Sequence, residues 1–293
     1  MTRRPPRGAA LVLVMWLLVL LAAIIAALAL ASRTEWLQGR HEVEALRARA
    51  AAEAGIELAV TRMLDFDVNR RWRPDGRPYA LALDGIDVEV RVQDETGKVD
   101  LNTADALLLA GLVEALGEDR LRAAQVAAAI IDWRDPDPLL SPGGGAEDDD
   151  YARAGLPWPC KDQPFEAVDE LQRVLGIDAG LYARLQPFVG VYGGVAQPDV
   201  GYAPREVLVA MGLPPSAIAQ VEALRGLAGE GQAGAGEGAA ALAGFGSGTY
   251  SVESRATLGD GTRVVLHTTL RAGPTGVFGQ LYTPLDWREG DPR

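Results

Sequence analysis

The sequence predicts an α+β fold in which one long N-terminal helix packs on a small antiparallel sheet, and a large all-α domain is inserted between the strands of that sheet. Three observations support this: an uncharged apolar run that continues into proline-free helical sequence, two segments of alternating apolar and polar residues, and an Ala/Leu-rich block between them. The 293 residues carry a formal net charge of −12. Because phosphate contacts require Lys and Arg, this balance argues against nucleic acid as a partner.

The N-terminal apolar run has the length of a membrane span. Residues 9–31 are 23 consecutive residues without a charge, which as a helix extend roughly 34 Å against a hydrocarbon core of about 30 Å. Three arginines precede the run, which predicts a cytoplasmic N-terminus with the rest of the chain outside. The run is long for a cleaved secretory signal. A plain signal anchor, and a short basic leader cut after Gly8 to leave Ala9 as the new N-terminus, both remain open.

The helix is expected to continue past the membrane. No proline occurs between Glu35 and Leu64. Apolar residues recur there at steps of three and four, as in an amphipathic helix. They are Val43, Leu46, Ala50, Ala54 and Leu58. The pattern predicts one helix from about Ala9 to Leu64, roughly 80 Å long, whose second half lies on a sheet.

Two β-hairpins are predicted on either side of the helical block. The first turns at Asp84-Gly85, a preferred centre for a two-residue hairpin turn, after an earlier turn at residues 73–76. Its second strand alternates between two faces. Val88, Val90 and Val92 are expected on one face, and Asp87, Glu89 and Arg91 on the other. The second hairpin joins residues 250–258 to 262–271 and turns at Asp260-Gly261.

The block between the hairpins, from residue 102 to about 189, has a helical pattern. Helices are predicted at 106–117, 118–134 and 167–176. Residues 164–177 and 203–214 each resemble a helix-hairpin-helix motif. Such motifs often hold DNA, but these carry few basic residues, which favours a structural role. Residues 226–248 are low in complexity and glycine-rich, which predicts a flexible loop without chemistry.

An acidic loop at residues 132–151 is the most informative stretch for function. Seven carboxylates lie on the two sides of a Pro/Gly-rich turn. They are Asp132, Asp135, Asp137, Glu147, Asp148, Asp149 and Asp150. Calcium, which takes six to eight oxygen ligands, would offset this concentration of negative charge. The spacing does not match an EF-hand, and a solvated acidic loop without metal remains the alternative.

The residues for common enzymatic sites are sparse. His41 and His267 are the two histidines of the chain, one on the long helix and one in a predicted strand. Cys160 is the single cysteine, so no intramolecular disulfide can form, and we interpret it as a packed or exposed thiol. The carboxylates could in principle belong to a hydrolase, but no nucleophile or phosphate-binding glycine loop accompanies them.

Several motifs, taken in order, resemble the K-type minor pseudopilins of type II secretion. The resemblance covers nearly the whole chain except the glycine-rich stretch after Gly226. The matching segments are residues 7–11 (RGAAL), 51–57 (AAEAGIE), 94–102 (DETGKVDLN), 131–137 (IDWRDPD), 145–151 (GAEDDDY) and 163–165 (QPF). Each motif is weak alone, whereas their combined order is specific.

This resemblance implies a type IV pilin-like fold with an inserted domain of helix-hairpin-helix or SAM-like type. A prepilin peptidase would cut after Gly8 and methylate Ala9. The implied partners are the I and J minor pseudopilins in a tip complex, the major pseudopilin and the inner-membrane secretion platform. It further implies calcium in the acidic loop, with ligands drawn from the seven carboxylates. The protein would be a non-enzymatic, single-pass inner-membrane protein with its bulk in the periplasm, located at the pseudopilus tip after assembly.

One residue suggests the tip position. In most pilin-like subunits the fifth mature residue is a Glu that neutralises a neighbour's N-terminal amine, whereas here it is Leu13. An uncompensated carboxylate in lipid would be expensive, and a tip subunit has no neighbour above it. We therefore expect Leu13 to favour the tip.

The expected division of the chain follows from these observations. It comprises the leader 1–8, the membrane or fibre-core helix 9–31, the pilin-like helix and first hairpin 32–101, the inserted domain 102–225, the glycine-rich loop 226–248 and the C-terminal hairpin 249–293. Two other functions remain open at this point. One is a minor pilin of a type IV pilus, and the other is a membrane-anchored, calcium-dependent periplasmic hydrolase.

Overall fold

The fold was analysed in a computed structural model, which describes residues 9–67, 70–229, 246–273 and 281–290. Gly8 and the greater part of the glycine-rich segment lie outside these ranges. Helix α1 spans Ala9–Met63, 55 residues, which confirms the predicted helix to within one residue. A window of it, Leu11–Leu28, is long and apolar enough to cross a membrane, and none of that window is buried inside the protein.

A five-stranded antiparallel sheet packs against the second half of α1. Its strands are β1 (Asp75–Leu83), β2 (Ile86–Asp94), β5 (Thr249–Thr257), β6 (Arg263–Ala272) and β7 (Tyr282–Glu289). The order across the sheet is β1-β2-β5-β6-β7. Strands β2 and β5 are therefore neighbours in space, although the inserted domain separates them in sequence. The antiparallel sheet on a long helix confirms the predicted fold class.

Both hairpin turns form as predicted, with two corrections. Asp84 and Gly85 have φ values of 49° and 78°, the left-handed conformation that a two-residue turn requires. The predicted turn at residues 73–76 is wrong in part, because β1 already begins at Asp75 and a register irregularity lies between Asp75 and Pro78. The C-terminal hairpin also gains a third strand, β7. Its interrupted apolar pattern gave no alternation signal.

The face of α1 that contacts the sheet is made of small residues. The buried positions are Ala48, Ala51, Ala52, Gly55, Ile56, Ala59, Val60 and Met63. A Cβ on Gly55 would lie 2.5 Å from Ser254 Oγ of β5, so the absence of a side chain there lets helix and sheet approach closely. Along β2 the valines are buried while Asp87 and Arg91 are exposed, as the alternation predicts.

The apolar stripe identified from the sequence faces away from the sheet. Val43 is 56% exposed and Leu46 66% exposed, Ala50 and Ala54 are exposed, and Leu58 is partly buried. The second half of α1 lies on the sheet as predicted, but not through this stripe. Close packing on a β-sheet selected the alanine and glycine face instead, and the larger apolar side chains remain on the surface.

The inserted domain has its own core, separate from the core beneath the sheet. Its helices are α2 (Ala106–Ala115), α3 (Arg120–Arg134), α4 (Asp148–Arg153), α5 (Ala179–Leu185), α6 (Arg205–Ala210) and α7 (Pro215–Gly229), with a two-stranded parallel pair of β3 (Val99–Asp100) and β4 (Val189–Gly190). The predicted helix at 167–176 is a short 3₁₀ helix, Val168–Arg173. Leu171 lies in this core with an exposure of 0%.

Buried carboxylates hold the junction between sheet and insertion. Asp94 is fully buried; its Oδ1 accepts hydrogen bonds from the Thr96 amide at 2.9 Å and hydroxyl at 2.6 Å. Asp100 accepts the Asn102 amide at 2.8 Å on Oδ1 and the Gly194 amide at 2.8 Å on Oδ2. These two buried carboxylates accept hydrogen bonds from backbone amides on both sides of the junction, as buried polar groups generally do. The motif at residues 94–102 thus has a structural role.

Candidate functional site: the acidic loop and the exposed face of α1

The acidic loop connects α3 to α4 and is folded back by Asp132. This residue lies in the last turn of α3 and is fully buried. Its Oδ1 accepts the Ser141 amide at 2.9 Å, and its Oδ2 accepts the Ala146 amide at 2.7 Å. A Cβ on Gly145 would lie 1.8 Å from Oδ2. Asp132 therefore braces the loop, and residue 145 must be glycine for that brace to form.

Glu147 lies at the centre of the acidic cluster. Its Oε1 is inaccessible to solvent and has no hydrogen-bond partner among the described residues. Burial, and after it the negative charges of neighbouring carboxylates, together raise the pKa of Glu147 from 4.5 to about 7. The carboxylates, in decreasing order of effect, are Asp132, Asp162, Asp135 and Asp148. A buried carboxylate oxygen without a donor is costly, and a bound cation would remove that cost.

Asp135 and Asp137 occupy the first part of the loop. Burial raises the pKa of Asp135, and the charges of Asp137 and Asp132 act in the same direction. The Oδ1 of Asp137 accepts the Leu139 amide at 2.9 Å. Both carboxylates keep oxygen lone pairs beyond these contacts.

The three aspartates that begin α4 are placed differently from one another. Asp148 Oδ1 accepts the Cys160 amide at 3.0 Å. Asp150 Oδ2 accepts the Glu147 amide at 3.2 Å, and its Oδ1 lies 2.7 Å from Nη2 of Arg153. Asp149 is exposed in the first turn. The seven predicted ligands thus do not face one centre, and the choice among them stays a prediction.

Two residues outside the predicted ligand set join the cluster. The donor atoms of Glu147, Cys160 and Asp162 all lie within 4.8 Å of one another. Burial raises the pKa of Cys160 to about 12, whereas amides of Asp162 and Lys161, which donate towards its sulfur, act in the opposite direction. The sequence interpretation missed both residues because they follow the acidic run by ten residues or more. The Cys-Lys-Asp spacing was the available signal.

The basic side chains that flank the loop in sequence have partners elsewhere. Lys161 Nζ lies 2.7 Å from Glu170 Oε2 and donates to the Pro164 carbonyl at 2.8 Å. Arg134 donates to the carbonyls of Leu101 and Ala104. Neither cation neutralises Glu147. The unpartnered, buried oxygen of Glu147 suits a hard cation such as Ca²⁺, which binds carboxylate and carbonyl oxygens.

The exposed surface of α1 is the second candidate site. The potential membrane span ends at Leu28. After residues 29–42 comes the exposed stripe, which is defined by Val43, Leu46, Ala50, Ala54 and Leu58. Leu13 lies within that span and is 66% exposed, and Ala9 is the first helical residue. A large apolar surface on a folded protein marks contact with lipid or protein. One helix therefore presents apolar surface both in its membrane part and beside the sheet.

Comparisons with known proteins show what this chain is similar to. Residues 87–194 match the family model for protein K of the type II secretion system. The type II secretion system protein K of Klebsiella pneumoniae is 30% identical over 207 residues, which cover 62% of each chain. The protein of the same name from Pectobacterium carotovorum subsp. carotovorum is 28% identical over 211 residues, 64% of this chain and 63% of that one. The matches thus span less than two thirds of these relatives.

A solved structure shares the fold. A chain in the crystal structure of the GspK-GspI-GspJ complex from the type 2 secretion system of enterotoxigenic Escherichia coli superposes with a TM-score of 0.57 at 21% identity. The match covers 89% of this chain and 100% of that one. The resemblance inferred from the motifs is confirmed by these matches.

Proposed function

We propose that this chain belongs to the type II secretion system protein K family and is a non-enzymatic minor pseudopilin. It would join the I and J minor pseudopilins at the tip of the pseudopilus and initiate its assembly at the inner membrane for export of folded proteins. The observation that carries the proposal is the exposed face of α1, where Val43 and Leu46 expose more than half of their surface. Helical subunits of a fibre need such a face to contact one another.

The exposed stripe is suited to a protein partner. Its residues follow a spacing of three and four along the helix, the pattern by which one helix packs against another. It lies on a different face from the one buried against the sheet, so a partner helix can dock without unfolding the chain. The I and J proteins are proposed as partners because the structure that shares this fold is a complex of K with I and J.

The assembly proposal is tested by placing charges on the stripe. The full chain carrying Val43→Lys and Leu46→Lys is extracted in detergent after co-expression with the I and J proteins of its own system. Loss of two apolar contacts of about 1.5 kcal/mol each predicts about a 100-fold weaker association. Ala45→Lys is the matched control, because Ala45 is exposed on the same helix but at about 100° per residue lies on a different side from Val43 and Leu46. Equal recovery of I and J with both variants would contradict the proposal.

Processing at the N-terminus separates this role from a plain signal anchor. The proposal requires a prepilin peptidase to cut after Gly8 and methylate Ala9, and Leu13 to favour the tip position. Mass spectrometry of the mature N-terminus should find methylated Ala9. An intact leader in protein that still supports secretion would contradict the assembly role. Placing Glu at position 13 should redistribute the subunit along the fibre, and an unchanged distribution would count against the role of Leu13.

We also propose that the acidic loop binds Ca²⁺ as a structural ion. Glu147 would be the central ligand, with Asp135 and Asp148 and the free lone pairs of Asp132 beside it. The cation would offset the mutual repulsion that raises the pKa of Glu147 and would stabilise the loop. Glu147→Gln should abolish calcium binding in isothermal titration calorimetry of the full chain. Asp149→Asn removes the same charge from an exposed position two residues away and should retain binding.

A further inference from the structure

We propose that Glu147, Cys160 and Asp162 form a site for a thiophilic divalent cation such as Zn²⁺ or Cd²⁺. The two carboxylates and the thiol come from the N-terminal cap of α4 and from the loop that follows that helix. Their donor atoms lie within 4.8 Å of one another. The site shares Glu147 with the proposed calcium site but uses a different donor set, and it does not depend on the assembly role.

An unpartnered oxygen points to a missing ligand at this position. Glu147 Oε1 is shielded from solvent and accepts no hydrogen bond from the described residues. The carboxylate of Glu147 and the thiol of Cys160 are both buried, whereas Asp162 is exposed. The exposed carboxylate therefore marks the side from which an ion would enter. A cation bound among these three side chains would interact with the buried carboxylate oxygen that has no hydrogen-bond donor.

The chemistry of the three donors selects the kind of ion. Zn²⁺ binds thiolate at about 2.3 Å and carboxylate oxygen at about 2.0 Å, and accepts three protein ligands with water in the fourth position. Tetrahedral coordination places sulfur and oxygen about 3.5 Å apart, a separation compatible with donor atoms that all lie within 4.8 Å of one another. The exposed side chain of Asp162 can adjust its position by rotation. Calcium, in contrast, takes oxygen ligands and gains nothing from the sulfur.

Backbone contacts position the thiol of Cys160, which burial keeps protonated in the absence of a metal ion. The Asp148 carboxylate accepts the Cys160 amide at 3.0 Å, which fixes the backbone of the cysteine. The amides of Lys161 and Asp162 donate towards Sγ, as amides do around metal-bound thiolates. On binding, the metal–sulfur bond forms as the S–H bond breaks, and the proton passes to water. No oxidant or reductant is involved.

Cadmium titration of the full chain in detergent tests the proposal. Cd²⁺ should bind with one equivalent per chain and produce an ultraviolet sulfur-to-metal charge-transfer band. Cys160→Ser should abolish the band and weaken Cd²⁺ and Zn²⁺ binding at least about tenfold while leaving calcium affinity unchanged. Calorimetry in buffers of different ionisation enthalpy should show that wild type releases a proton when it binds Cd²⁺ and that Cys160→Ser does not.

Other variants keep the test decisive. Asp162→Asn should weaken zinc binding, and Asp149→Asn should not. Circular dichroism of each variant establishes that it is folded, and Cys160→Ala serves in place of serine if the hydroxyl is not tolerated in the buried position. The proposal is overturned if wild type shows no charge-transfer band, or if zinc affinity is the same in wild type and both Cys160 variants. In either of these outcomes, loss of calcium binding in Glu147→Gln would still support the calcium site, without the zinc site.

Discussion

Replacing Glu147 with glutamine should stabilise the calcium-free protein at neutral pH and have little effect near pH 4. The folded state raises the pKa of this carboxyl from 4.5 to about 7, so between these values the folded chain holds a proton that the unfolded chain releases. The free energy of unfolding therefore falls as the pH rises through this window. Glutamine does not titrate, so this contribution to the pH dependence of the free energy of unfolding is absent in the variant.

The magnitude follows from the shift. From 4.5 to about 7 is about 2.5 units, and at about 1.36 kcal/mol per unit the upper limit is about 3 kcal/mol. Glu147 as a whole is partly exposed, and solvent screening reduces the expected difference to about 1–2 kcal/mol above pH 7. The difference between variant and wild type should vanish below pH 4.5, where the carboxyl is protonated in both states.

Urea unfolding of the full chain in detergent, with a calcium chelator and at pH values from 4 to 8, measures this difference. Subtracting wild type from Glu147→Gln removes the contribution of other titrating groups. Asp149→Asn is the control and should give a flat difference. In excess calcium the order should reverse, because ligand binding stabilises wild type alone. A Glu147→Gln difference that is independent of pH, or that grows towards acid, would refute the reasoning.

Three further substitutions test the packing that positions the site. Gly55→Ala should lower the free energy of unfolding by about 1–2 kcal/mol, because its Cβ would lie 2.5 Å from a serine hydroxyl of β5. Its control is Gly39→Ala, which places a Cβ where nothing lies within 4 Å and should raise the free energy of unfolding by up to about 1 kcal/mol. Gly145→Ala places a Cβ 1.8 Å from Asp132 Oδ2. It should lower the stability measured in thermal melts by at least about 2 kcal/mol and should also weaken calcium binding. An unchanged calcium affinity would argue against the role of Asp132 in bracing the loop. Arg134→Met removes two charge-assisted bonds to carbonyls before α2 and should cost about 2–4 kcal/mol in chemical unfolding, whereas a loss below 0.5 kcal/mol would show that the carbonyls find other donors.

Local sequence patterns determined the elements of the fold. The uncharged run and the proline-free sequence after it set the length of α1, which ends at Met63. The alternation of Val88, Val90 and Val92 set the buried face of β2. Asp-Gly pairs placed both turns. These features depend on backbone preference and on periodicity within one segment, so neighbours in space are not needed to predict them. Strand β7, which contains Pro284 and two charged residues near its end, lacked such a signal.

The tertiary structure decided which side chains are buried and which side chains lie next to one another. Two faces of α1 are apolar, and close approach to the sheet selected the one with Ala52 and Gly55, leaving Val43 and Leu46 exposed. In the acidic loop, composition predicted a concentration of carboxylates, but not that Asp132 would brace the backbone. Composition also did not predict that Cys160 and Asp162 lie near Glu147, because that proximity arises when the chain returns after α4. The sequence by itself determined which segments are helix, strand or acidic loop, since those follow from local periodicity and charge. Only the packing of segments distant along the chain decided which side chains share a site.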